Sequence, residues 1–455
     1  MPLVRLRPVP AASPLRVLLL LAPPLLAGCT AYEPRPLRLD AHGEEFLHRE
    51  PLLPAAGGAV APPPFDPSDG LSVEEGEALG LVFNTSLRRA RLAAGVTAAT
   101  AANAGLWEDP VIGVDVTRIL ESGAQAWEAF GTVGLTIPIS GRLEAEKRRA
   151  GAAHAAELCR VAAEEWTFRE RLRSEWLRWS ALHAACAVDG ESLALLSDLA
   201  AIVERLEEAG EVPRIEGRLF RLQRELMDAA LEARRAEREH SRLRLLRLMG
   251  LGPASRLQPV PLDLAPTAGP PAAPLTAADV AANPRLATAM AAYQECEDAL
   301  ALEVREQYPD LNLGGGYGTQ DGQRQALIGV SLPVPILNAN RRGVAEATAR
   351  RELARAEAES LQEELLSELA SERQAWEVAL RRRERLEAGS LPLAEAQYAD
   401  ARALARLGEV KTLVLLESLE RRRQVLLDVI DARRDEALAG VRCGALAGPA
   451  TGGDR

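Results

Sequence analysis

Five cysteines and five histidines are the side chains of this sequence best suited to covalent or metal chemistry. Cys159 and Cys186 fall on one expected helix, 27 positions apart. At about 1.5 Å per residue they stand roughly 40 Å apart, too far for a disulfide. No CxxC pair occurs among Cys29, Cys159, Cys186, Cys296 and Cys443, so neither a disulfide framework nor a metal site is supported. His154 and His183 lie on expected helix faces, where packing or solvation is the expectation. Gly314-Gly315-Gly316 follows Leu313 but continues a strand pattern and opens no helix, so it is no phosphate cradle. No nucleophile elbow or HExxH helix occurs; the sequence reads as non-enzymatic, with no cofactor. The thiol of Cys29 stands apart, because it follows Leu26-Ala27-Gly28 at the end of a short apolar run.

That run belongs to an export signal. Arg5, Arg7 and Arg16 precede Val17 to Leu26, which is too short to span a bilayer as a mature helix. With its small residues before Cys29, residues 1–28 resemble a bacterial lipoprotein signal. The resemblance implies lipidation of Cys29, an anchor that does not span the membrane. Thr30, where an Asp would retain the chain, allows outer-membrane delivery by analogy with enterobacterial sorting. An ordinary secretory signal with a chance cysteine is the alternative. Residues 29–71 are rich in Pro and Gly and read as an N-terminal tether.

The remaining elements suit a thin, extended, helical assembly. Aromatic residues make up only 4% of the 455 positions, and Ala, Leu, Arg and Glu dominate. A net charge of −11, with arginines interleaved among glutamates, argues against nucleic acid. Helical periodicity runs from about Ser72 to Ala104. Two runs with period-2 alternation follow, at about 111–118 and 130–137, each with one apolar face. The second ends at Pro138. Arg142 to Glu208 then contains no proline and carries apolar residues at 3–4 spacing, a seam interrupted by Glu165, Glu175 and Asp189. Its 67 residues would form a rod of about 100 Å. Gly210-Glu211-Val212 turns the chain into a return helix from Arg214 to Met249. The proline-rich stretch 251–274 reads as a linker.

The plan then repeats. Asn84 and Asn283 differ by 199, Pro110 and Pro309 by 199, Pro138 and Pro333 by 195, and Gly210 and Gly408 by 198. This near-constant offset establishes a duplication. The first repeat covers 72–250 with its hairpin at 141–249. The second covers 275–440, with strands at about 311–318 and 326–333 and a hairpin at 339–439 that turns at Gly408-Glu409-Val410. Pro392 should kink the second long helix or loosen one of its turns. Residues 441–455 are expected to be a disordered tail.

Four short strands cannot close a barrel, and an open edge in lipid leaves backbone groups unpaired at several kcal/mol each. Three chains would supply twelve strands, enough for a closed barrel with a lumen. From 72 to 440 the chain resembles the TolC-like outer-membrane efflux family. The carrying features are the duplication, the strand pairs ending in Ile137-Pro138 and Leu332-Pro333, the helix starts Gly141-Arg142 and Asn340-Arg341-Arg342-Gly343, and the Gly-Glu-Val turns. Leu332-Pro333-Val334-Pro335-Ile336-Leu337 and Leu391-Pro392-Leu393-Ala394-Glu395-Ala396 look closer to the cobalt–zinc–cadmium resistance branch.

The resemblance implies a mainly α chain with a small β part. It implies a homotrimer whose 12-stranded β-barrel in outer-membrane lipid continues into a periplasmic α-helical barrel. It further implies docking, through a periplasmic adaptor, to an inner-membrane pump of the resistance-nodulation-division type, with Pro138 and Pro333 at the strand-to-helix junctions. The function implied is a passive efflux duct, with heavy-metal cations as a candidate cargo. The alternative is a periplasmic coiled-coil adaptor or structural lipoprotein. The family closes its tunnel with acidic residues just after the hairpin turns. Those places hold Glu216, Val414 and Glu417, so the gate candidates are Glu216 and Glu417; a solvated helix surface is the other reading. The aromatic residue that the family places before the turn glycine is replaced by Glu207 and Ala405.

Overall fold

The computed structural model describes residues 32–49, 70–118, 127–264, 269, 273–320, 323–406 and 411–449. The export signal, Cys29, the turn Gly408-Glu409-Val410 and the last six residues lie outside them, as do much of the tether and the connector at 119–126. The chain divides into two units, Met1–His48 and Arg49–Arg455. The first contains helix α1, Leu39–Leu47.

In the second unit, helices α2 (Val73–Phe83) and α3 (Thr85–Ala102) lead into strands β1 (Val111–Arg118) and β2 (Trp127–Ile137). The first hairpin pairs α4 (Arg142–Glu208) with α5 (Arg214–Leu248). The second repeat runs through α6 (Pro284–Arg305), β3 (Leu311–Gln320) and β4 (Gln323–Ser331). Its hairpin is built from α7 (Arg341–Arg385), α8 (Leu391–Arg406) and α9 (Thr412–Ala447). The strands form one antiparallel sheet in the order β1-β2-β3-β4.

The structure alters the sequence-based reading at Asn84, at the linker and at the C-terminal helix. Periodicity from Ser72 to Ala104 is split at Asn84, whose extended backbone caps α3 while its side chain accepts from the N–H groups of Ser86 and Leu87. The stretch expected to be a linker is packed in its described part. Leu251, Leu257 and Leu264 are buried, Leu71 bridges Pro259, and Trp176 Nε1 donates to the Val260 carbonyl at 2.8 Å. The proline-rich backbone thus closes over a core of Leu79, Phe168, Leu172, Trp176 and Met249. A side chain at Gly80 would collide with Phe168, so glycine lets α2 lie against α4.

The final helix also corrects the expected tail, because α9 continues to Ala447 rather than ending near Ala439. Leu446 packs on Val280, Leu286 and Leu365, while Trp166 Nε1 and Asn283 Nδ2 donate to the carbonyls of Ala445 and Leu446 at 2.8 Å each. The stop is Gly448 at φ +87°, the counterpart of Gly250 at φ +73°, offset by 198. Each closely faces a backbone carbonyl, of Ala282 and Phe83 respectively. Pro392, by contrast, acts as its position implied and loosens one turn of the second long helix. A single wide turn, Leu386–Ser390, precedes α8. It gives the pyrrolidine ring room beside the preceding turn, where the proline has no N–H to donate.

The polar slots of the seam are charge-paired. Buried Asp189 on α4 accepts from Arg234 on α5 at 2.6 Å and from Arg423 on α9 at 2.8 Å, tying both hairpins together. Glu175 accepts from Ser241 at 2.6 Å and Arg244 at 2.8 Å, and Glu165 from Arg91 at 2.6 Å. In the second half Glu387 accepts from Arg433 at 2.6 Å and Arg383 at 2.7 Å. Glu387 stands 198 after Asp189 and Arg433 stands 199 after Arg234, so the lock is duplicated with the repeat. Arg383 also reaches Glu436 on α9 at 2.5 Å.

Asp189→Asn leaves two arginines facing a neutral group; it is expected to cost about 3 kcal/mol, read as a lower urea midpoint. Replacing Asp189, Arg234 and Arg423 together by Leu and Met should cost much less. Burial alone would push the Glu387 carboxyl up. Hydrogen bonds from Arg433 and Arg383 outweigh it and hold that carboxyl below the ordinary 4.5. A depressed carboxylate stabilises the fold above its unfolded value and loses that contribution as pH falls through the folded one. Stability should therefore decline as pH drops below about 4.5, and Glu387→Gln should make the decline shallower in melts recorded across that range.

Candidate functional site

Two parts of the chain are candidates for function: the sheet and the hairpin tips. In an antiparallel sheet, directly opposed residues share a face. The register pairs Ile112 with Val133, Val133 with Gly315 and Gly315 with Ile328. Leu135, Leu313 and Val330 form the next row. One face is therefore continuously apolar across all four strands: Ile112, Val114, Val116, Val133, Leu135, Leu313, Tyr317, Ile328 and Val330. Nothing among the described residues covers it; Val114 is 72% exposed and Ile328 83%. The outer edges of β1 and β4 have no strand partner among the described residues.

The other face is small and polar: Gly113, Asp115, Thr132, Gly134, Thr136, Asn312, Gly314 and Gly316. Thr136 Oγ1 donates to Asn312 across the two repeats at 3.1 Å. Besides the apolar side chains of Val111 and Leu327, this face carries one aromatic residue, Phe130. Its ring lies on Gly316 and Gly318, where any Cβ would collide with it. No helix among the described residues is long and apolar enough to cross a membrane.

Pro138 directly follows β2, and Pro333 stands two residues beyond the end of β4. The helices beyond these junctions start alike. Gly141 and Asn340, 199 apart, both take left-handed conformations, at φ 75° and 49°. The junction is tied by a cluster that sequence reasoning missed. Arg142 donates to Asp310 at 2.5 Å and to Glu108 at 2.7 Å, and Ser140 donates to Asp310 at 3.0 Å. Asp310 and Glu108 precede strands of different repeats, so Arg142 clamps the base of the sheet. The only sequence signal was the repeated placement of an arginine after the αL residue.

At the far end, Gly210 at φ +80° closes α4. Its N–H donates to the Glu207 carbonyl at 3.1 Å, and that of Glu211 to Leu206 at 2.9 Å, the Schellman pattern. Val212 folds back on a core of Leu196, Val203, Phe220, Leu416 and Leu419 that joins both hairpins. Of the two gate candidates, Glu216 is half-buried and accepts from Thr412 Oγ1 at 2.5 Å, linking the first tip to the start of α9. Glu417 is exposed farther along α9, as is Val414. Glu207 lies against Gly217, and its carboxylate stands 3.4 Å from Arg221. The structure thus draws Glu216, but not Glu417, into the contact between the tips. Cys29 and the Gly408 turn lie outside the described residues.

No protein-family model matches this sequence, and no curated protein matches it. The fold, by contrast, is one found in outer-membrane channel proteins of bacteria. VceC, the outer membrane protein of Vibrio cholerae, aligns with a TM-score of 0.70 at 16% identity, covering 83% of this chain and 96% of VceC. The CmeC outer membrane channel of Campylobacter jejuni aligns at 0.71 with 13% identity, over 92% and 94% of the two chains. CusC, studied for its folding and transmembrane channel formation, aligns at 0.70 with 16% identity, over 87% and 99%. At these identities the likeness is one of fold.

Proposed function

We propose that this chain is one protomer of a homotrimeric, passive efflux duct of the outer membrane. It is not an enzyme. The observation that carries this reading is the four-stranded sheet, with an uncovered apolar face and two open edges. In hydrocarbon each unpaired backbone group costs several kcal/mol, so β1 of one copy must pair with β4 of another. Three copies close a twelve-stranded barrel with the glycine- and threonine-rich face toward water. The hairpins continue this tube into the periplasm. An exposed stripe on α5, Ile215, Leu219, Leu222 and Leu226, supports side-by-side packing of neighbouring copies.

On this reading Cys29 carries the lipid anchor in the outer membrane. The Gly210-Glu211-Val212 and Gly408-Glu409-Val410 turns face a periplasmic adaptor, which in turn meets an inner-membrane pump of the resistance-nodulation-division type. Glu216 and Glu417 narrow the periplasmic mouth and favour cations there. Cargo is chosen largely by the pump; the proposal of heavy-metal cations draws on the Leu332–Leu337 and Leu391–Ala396 stretches alone.

Two outcomes test the reading. With lipid on the apolar face, Val114→Arg is expected to cost about 2–4 kcal/mol of assembly. It should abolish the heat-modifiable trimer in outer-membrane fractions, whereas Thr132→Arg on the water face keeps it. Equal tolerance of both would remove the case for a barrel. In planar bilayers, Glu216→Ala with Glu417→Ala should raise single-channel conductance and weaken cation preference. Unchanged conductance and selectivity would leave the two glutamates as solvated surface.

A further inference from the structure

The four charged residues of the described strands divide by face. Asp115 and Glu128 lie on the polar face, whereas Arg118 pairs with Trp127, and Arg324 with Thr319, on the apolar one. An arginine in the middle of a bilayer is costly, so its height matters. Arg118 ends β1, and Arg324 is the second residue of β4, both at the end of the sheet remote from the helices. The Arg118 guanidinium stacks over the Trp127 ring, 5.3 Å from its centroid, and Trp127 is 66% exposed.

From Ile137 to Trp127 the strand runs about 33 Å, at roughly 3.3 Å per residue. With a tilt of about 40° this is about 25 Å along the membrane normal, the height of the apolar band of an outer-membrane barrel. Trp127 and Arg118 thus reach the outer boundary between hydrocarbon and headgroups. Tryptophan is favoured there, and arginine finds phosphate oxygens. The two arginines of one chain occupy opposite edge strands. Closing the ring sets β4 of one copy about 4.8 Å from β1 of the next. Arg324 then meets the Arg118–Trp127 stack of its neighbour at each seam.

We infer that each seam, in the trimeric duct proposed above, is a binding site for a phosphorylated glycolipid of the outer leaflet. Its phosphate bridges Arg118 and Arg324 of adjacent copies, and its acyl chains lie on Val114, Val116 and Ile328. The complementarity is one of charge and of surface: two guanidinium donors sit above a continuous apolar face that no described residue covers.

The full-length protein, purified in detergent, is heated with a bis-phosphorylated glycolipid, with the dephosphorylated lipid, or with inorganic phosphate alone. Dissociation of the trimer is followed by electrophoretic migration. The phosphorylated lipid is expected to raise the dissociation midpoint, and the other two are not. The single variants R118Q and R324Q should each need roughly fivefold more lipid for the same shift, and the double variant roughly 25-fold more. An undiminished response in the variants, or an equal response to inorganic phosphate or dephosphorylated lipid, overturns the site. A wild-type trimer whose midpoint ignores every lipid overturns the site but not the duct. A wild-type protein that forms no trimer overturns both.

Discussion

An unpaired strand edge cannot be left in hydrocarbon, and the sheet formed by the described residues has two. The rest of the structure follows from that constraint. The order β1-β2-β3-β4 places one edge in each repeat, so a single operation, the pairing of β4 with the β1 of another copy, satisfies both. The duplication supplies strands in pairs and hairpins in pairs. In the proposed ring of copies, strands and helices would extend into the same tube. On the proposed reading, lipid meets the apolar face for the same reason that the edges take partners: among the described residues nothing buries either.

Below the sheet, the problem is to hold helices of about 100 Å side by side in water with few aromatic anchors. Apolar contacts are non-directional and would let such helices slide. Asp189, held by Arg234 on its own hairpin and Arg423 on the other, fixes their register at one height. Glu387 does the same in the second half. Breaking a buried pair costs far more than never having built it, so these sites set alignment more than net stability. The wide turn at Leu386–Ser390 contains Glu387, which places the second lock at an irregular point of the second long helix.

Much of this was legible in the residues. The strands, the proline-free span of α4 and the Gly210 turn are local signals, set by period-2 and period-3.6 patterns and by a glycine at positive φ. They were read close to their observed limits. The errors came where long-range contacts outweigh local composition. The Gly- and Ala-rich end of α9 looked like a tail, yet it is helical because Trp166, Asn283 and Leu446 bind it to the second core. The duplication already contained the answer, since Gly250 plus 198 is Gly448. The proline-rich stretch 251–274 looked like a linker, but its described part covers Trp176. Trp127 was passed over because the second strand was begun three residues after it, so Arg118, at the end of the first strand, had no visible partner.

By itself, the sequence determined periodicity, repetition and the faces of each strand, because these depend only on residue type and spacing. It also placed Glu165, Glu175 and Asp189 on the helical seam. Which partners they take was decided by the tertiary structure alone, since Arg91, Arg244, Arg234 and Arg423 are brought to them by packing across the chain. The same holds at the tip. Sequence put Glu216 six residues after Gly210 and Glu417 nine after Gly408, with Val414 at the place that matches Glu216. Only the fold set Glu216 against Thr412 and left Glu417 in solvent, because the angle between two hairpins is fixed by the core between them.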